Sequence, residues 1–157
     1  VRVGLVGFAL AAALGATAGQ GPTLLAPGVV STGDSESHPT LSPDGHLVFA
    51  ARGRPDSLGS YDFYVTFQCQ GAWTAPRPLA GGVNSSAWDF APRFSPDGAT
   101  FLFASARMRT STEGPALRGR EGYRRLLEGL RSPGNGLFDI YTADTAALGL
   151  ADPCPGR

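Results

Sequence analysis

Two aspartates, Asp44 and Asp97, stand in the same tetrapeptide, Ser-Pro-Asp-Gly, 53 residues apart. Two carboxylates brought together could hold a cation or divide general acid and base work between them. Their setting points elsewhere. Proline presets φ at the first central position of a turn, aspartate suits the second, and glycine accepts positive φ at the exit. Turn chemistry therefore accounts for both. Asp62 and Asp139 recur in the same way, each two residues before a tyrosine in "DFY" and "DIY", and a residue demanded twice at matching places reads as structural. His38 and His46, the only histidines, stand in no ligand pattern, and two cysteines without clustered histidines make no zinc site. There is no Gly-x-Ser-x-Gly elbow, no P-loop and no dinucleotide fingerprint. No catalytic residue, cofactor or metal ligand is expected. Trp73, Trp88 and the Phe/Tyr-rich stretches could line a glycan or peptide groove, but alternating aromatics on strands are expected to form core.

The elements that carry these residues repeat. "LSPDGHLVFAARGR" at 41–54 returns as "FSPDGATFLFASAR" at 94–107, and upstream Gly28, Val30, Glu36 and Pro39 match Gly81, Val83, Asp89 and Pro92. Apolar residues on both sides of each turn predict a β-hairpin. A third strand follows as "YDFYVTF" at 61–67 and "FDIYTAD" at 138–144. "QCQGAW" then leads into "WTAPRPLAGGV", a fourth strand whose prolines belong on a sheet edge. "TLLAPGVV" at 23–30 reads as the counterpart of that fourth strand, ahead of the first copy. Four short antiparallel strands, repeated, are the grammar of a propeller blade.

In "SPDG" followed by an apolar strand and "DFY" or "DIY", with "W-T-x-P-x-x-L" between copies, the chain resembles the TolB-type, WD-like propeller repeat of exported bacterial proteins over about residues 24–145. The resemblance implies an all-β fold of antiparallel four-stranded blades, here about two and so an incomplete propeller. It also implies a binding or scaffold role rather than a reaction. Blade one is expected at about 35–80 and blade two at about 88–145. The chain is then a fragment or a short member of that group. The competing reading makes it the propeller portion of a larger exported, peptidase-like hydrolase whose catalytic part lies elsewhere.

The second copy is interrupted between its second and third strands by an insert, residues 108–135. Tyr123, Leu126, Leu127 and Leu130 recur at i, i+3, i+4 and i+7, which predicts a short amphipathic helix ended by "SPGNG". Arg118, Arg120, Arg124, Arg125 and Arg131 make this the most basic stretch. One reading is a recognition element for an anionic partner. The expected one is a solvated polar face, with Glu121 and Glu128 paired to arginines and the leucine stripe packed on the sheets.

With 157 residues, 13 basic and 13 acidic side chains and no net charge, the chain can hold one domain and carries no global field that would favour nucleic acid. Arg2, the apolar run "VGLVGFALAAALGA" and "ATA" at 16–18 predict a signal peptide at 1–18, removed on export to leave 19–157 with no membrane span. The compartment is then periplasmic or extracellular, and the expected partner is a protein or an envelope ligand. Export leaves two readings of Cys69 and Cys154, a disulfide or two free thiols. An open pair of blades would expose strand edges, so the chain is expected either to be poorly soluble or to self-associate, with residues 23–30 adding to the last blade of another copy.

Overall fold

The structure, a computed structural model, describes residues 21–108 and 119–154. The expected signal peptide, 1–18, lies outside the described residues. Two hairpins set the architecture, β1 (Ser35–Leu41) with β2 (Leu47–Arg52) and β7 (Asp89–Phe94) with β8 (Thr100–Ser105). Each is closed by its Ser-Pro-Asp-Gly turn, where Gly45 and Gly98 take φ of 81° and 73° and donate their N–H groups to Ser42 and Ser95 carbonyls. The two turns touch, because a Cβ on Gly98 would stand 2.6 Å from Pro43 Cγ.

β3 (Asp62–Thr66) and β6 (Arg77–Pro78) complete one antiparallel sheet in the order β1-β2-β3-β6, and β9 (Asp139–Asp144) completes the other in the order β7-β8-β9. A small hairpin of β4 (Gln68–Cys69) and β5 (Ala72–Trp73) lies between β3 and β6 in the chain. Among the described residues the fold is thus mostly β, in three antiparallel sheets with one α-helix, α1 (Gly119–Gly129), and no closed ring.

The two sheets are built alike. The first strand of each carries a bulge, between Ser37 and Thr40 and between Phe90 and Arg93. His38 and Ala91 occupy these bulges with φ of 51° and 54°, each directly before a proline. A positive φ is rare for a residue with a side chain, so its recurrence at matching places marks one backbone design used twice. The second turn is one residue longer: Ser42 N–H donates to His46 O, whereas Ser95 N–H donates to Thr100 O. Leu41 opposite Leu47 therefore corresponds to Phe94 opposite Phe101, and Phe49 opposite Tyr64 corresponds to Phe103 opposite Tyr141.

That correspondence shows how the sheets stack. In the first, Leu47, Phe49, Ala51 and Tyr64 share one face, and Val48, Ala50, Phe63 and Val65 share the other. The latter face packs on Phe101 and Phe103, the counterparts of Leu47 and Phe49. Opposite faces meet, front of one sheet to back of the other, with Phe63 edge-on to Phe101 and Phe103 at 5.5 Å each. A sandwich related by a two-fold axis would bring like faces together. Fully burying a ring such as Phe63 contributes about 2–3 kcal/mol, so this junction dominates the core.

Two sequence expectations are corrected. Residues 23–30 do not form a strand. Leu25–Ser31 fold as a turn, in which Val29 and Val30 N–H groups donate to Ala26 O at 3.0 and 2.9 Å, and Val30 is buried against Phe49 and Tyr64. Through Val30 this turn packs on the front of the first sheet. Nor is the apolar stripe of α1 covered. Of the helix only Gly122 is buried and Leu127 is half-buried, while Tyr123, Leu126 and, just past its end, Leu130 are exposed. Helical period reports which residues share a face, not what lies over it. Glu121 does pair, with Arg124 at 2.7 Å and Arg125 at 3.1 Å.

After β9 the chain leaves its sheet. Asp144 caps a short 3₁₀ helix, Thr145–Leu148, by accepting from Ala146 N–H. Leu148 is fully buried in the inter-sheet core, and its carbonyl accepts from Ala80 N–H at 3.1 Å. Arg77 donates to the Gly149 carbonyl, and a disulfide joins Cys154 to Cys69 with Cα atoms 5.4 Å apart.

Candidate functional site

Each repeat is fastened by an arginine beyond its second strand. Arg107 donates to the Gly82 and Val83 carbonyls and, at 2.9 Å, to Asp89, while its guanidinium lies over Phe103 and Tyr141. Arg54 does the same with the Val29 and Val30 carbonyls, Glu36, Phe49 and Tyr64. Burial, and then the hydrogen bond to Asp56, push the Tyr64 phenol well above its ordinary range. These clasps are structural. Their work is to hold the ends of β1 and β7 in place.

Against those ends three aspartates receive the loops that arrive. Asp62 Oδ2 accepts from Ser57 Oγ and from the Leu58 and Gly59 N–H groups. Asp89 Oδ2 accepts from Ser85 N–H and Oγ, and Asp139 Oδ2 accepts from Gly134 N–H. Each aspartate is preceded by an aromatic residue, Tyr61, Trp88 and Phe138. Since successive side chains on a strand point to opposite sides, an aspartate turned inward sends the ring before it outward. Asp62 and Asp139 thus have the structural role their recurrence implied.

Those rings converge. Phe90 is the hub, with Tyr61 at 4.5 Å, His38 at 5.3 Å, Trp88 at 5.5 Å and Phe138 at 5.8 Å between centroids. Tyr61 and Trp88 are 5.9 Å apart and also joined by a parallel β-bridge, through which Asp89 N–H donates to Tyr61 O. Gly59 permits this approach, because a Cβ there would stand 2.4 Å from the carbonyl oxygens of both Ser85 and Ala87. Phe90 and Tyr61 are half-buried, whereas Trp88 and Phe138 are 45% and 54% exposed. Hydroxyls border the rings, with Ser35 Oγ 2.8 Å from the Tyr61 oxygen and Ser37 Oγ 2.9 Å from His38 Nδ1. The result is a rigid aromatic platform across both sheets, with uncharged donors and acceptors at its margin.

The remaining candidates fall to structural roles. Asp97 accepts from Ser95 Oγ and Ala99 N–H, bonds that hold its carboxyl below the usual range. Asp44 borders a shallow cleft of about 470 Å³ with His46 and Asp152, and His46 is buried against Phe67 at 4.6 Å. Among the described residues, Cys69, Asp152 and Cys154 are the one group close enough to share a metal, but the two sulfurs are bonded to each other. Trp73 packs on the front-face core, as expected of a strand aromatic. Trp88 does not; it joins Tyr61, Phe90 and Phe138, from aromatic stretches expected to form core, and His38, which stands in no ligand pattern. A legible signal was present in the aromatic-Asp dipeptides at 61–62, 88–89 and 138–139. No family model, curated protein or solved structure matches the chain.

Proposed function

We propose that the chain is an exported binding module built from propeller-type repeat units, docking an uncharged envelope ligand on the platform of Tyr61, Trp88, Phe90, Phe138 and His38. One observation carries the reading: five rings from both sheets meet at a surface where Trp88 and Phe138 stay open to solvent. Leaving large aromatics exposed costs solubility unless something docks on them. Ring faces take the apolar C–H faces of a ligand while the hydroxyls beside them take its polar groups, a division of labour that suits a saccharide. Front-to-back stacking, the shared bulge and the shared turns support the propeller-type reading. No catalysis is assigned to the chain.

The test is a fluorescence titration of the purified protein with soluble oligosaccharides of neutral hexoses and N-acetylhexosamines. A saturable change is expected that disappears in Trp88→Ala, with the unfolding temperature unaltered. No saturable change with any of these saccharides, or one that survives Trp88→Ala, overturns the reading.

A further inference from the structure

We propose that α1 is a membrane-surface helix, which seats its apolar stripe on an anionic lipid leaflet. Tyr123, Leu126 and Leu130 are 63%, 45% and 51% exposed. The exposure continues beyond the helix. Seven of the twelve large apolar side chains exposed among the described residues lie between Met108 and Ile140, the other four of the seven being Met108, Leu137, Phe138 and Ile140. An interfacial helix lays one apolar face into the headgroup boundary, and Met108 and Leu137, on either side of the foot of α1 in the chain, are exposed as well. The foot is closed by the Met108–Asn135 bridge, and Asn135 Nδ2 donates to Leu130 O at 2.8 Å.

Charge selects the kind of leaflet. At about 100° per residue, Glu121 and Glu128 fall roughly 150–170° from the centre of the stripe, on the far side of the helix. Arg120 and Arg124 fall beside the stripe, roughly 70–110° from its centre, where a helix lying in an interface places its basic residues among phosphates. Glu121 is already neutralised by Arg124 and Arg125. Arg120 and Arg131 have no acidic partner among the described residues, so the helix and its C-terminal turn present uncompensated positive charge. Among the described residues no helix is long and apolar enough to cross a membrane.

The experiment is flotation of the full chain with two kinds of vesicle, pure phosphatidylcholine and phosphatidylcholine containing roughly one-third phosphatidylglycerol. The double variant Leu126→Gln/Leu130→Gln is run beside it. Both proteins carry the same N-terminal apolar run, so their difference reports on α1 alone, and both altered side chains are exposed, so the β-type circular dichroism should be unchanged. Binding to the anionic vesicles is expected to exceed binding to the neutral ones by about ten-fold, to fall with added salt, and to drop about ten-fold in the variant. Equal binding to both vesicles, binding unchanged in the variant, or no flotation with either overturns the proposal.

Discussion

Arg107 shows how much one side chain can carry. It saturates two backbone carbonyls, pairs with a fully buried carboxylate and covers two rings, while 22% of its own side chain stays exposed. Removing it strands the Asp89 charge in the interior, and breaking a buried pair in that way costs about 3–5 kcal/mol. Arg107→Ala is expected to lower the urea midpoint accordingly, and Arg107→Lys to recover only part, since an ammonium lacks the planar fork that reaches several acceptors at once. Arg124→Ala, which removes a pair more than half exposed on both sides, is expected to leave the midpoint unchanged. A large loss in both variants, or in neither, would show that burial does not set the value of these pairs. The sequence set the two arginines apart, Arg107 recurring at the place of Arg54 and Arg124 standing on a helix face expected to be solvated. The partners and depth of Arg107, however, belong to the folded neighbourhood.

At the scale of elements, Gly59 decides whether the platform assembles. Its neighbours are carbonyl oxygens of the backbone, which cannot swing aside as a side chain can. Gly59→Ala is expected to cost about 2 kcal/mol or more by forcing the loop before β3 off the loop before β7, and to weaken ligand binding because Tyr61 and Trp88 separate. Gly33→Ala, at a glycine with nothing within 4 Å of its Cβ direction, is the control and should be neutral. Thermal unfolding and the saccharide titration together check both effects. The hairpins were legible because turn residues and strand alternation act over a few positions. The segment 23–30 was misread because prolines and glycines that suit an edge strand suit a tight turn equally well, and only the bonds to Ala26 O and the burial of Val30 distinguish them. The platform was illegible for a different reason: His38 and Phe90 become neighbours only after two sheets have stacked.

For the whole molecule, the tail supplies a tie between the sheets. The Cys69–Cys154 bond spans 85 residues, from the small β4–β5 hairpin that follows β3 to a segment that comes after β9 of the second sheet. Closing a loop of that length restricts the unfolded chain by about 4–5 kcal/mol in the chain-entropy account. Reduction is expected to lower stability by that order. Urea unfolding of oxidised and reduced protein measures it, and coincident curves would place the stabilisation in packing around Leu148 instead. The pairing was one of two readings open in the sequence, because spacing alone cannot bring two cysteines within bonding reach. The same tail leaves β9 without a strand on its outer side among the described residues, where β3 has β6.

The unequal turns show where the two halves can differ in length. The second Ser-Pro-Asp-Gly turn has gained a residue relative to the first, yet Arg107 stands the same 53 positions from Arg54 as the turns stand from each other, so one residue has gone missing between β8 and the arginine. Had either change fallen inside a strand, every side chain beyond it would have crossed to the other face. Two halves built to one backbone pattern can therefore differ in length only at turns and strand ends. Their likeness is best read from which hydrogen bonds they share, since a residue-by-residue alignment at a single fixed spacing slips out of step within each half.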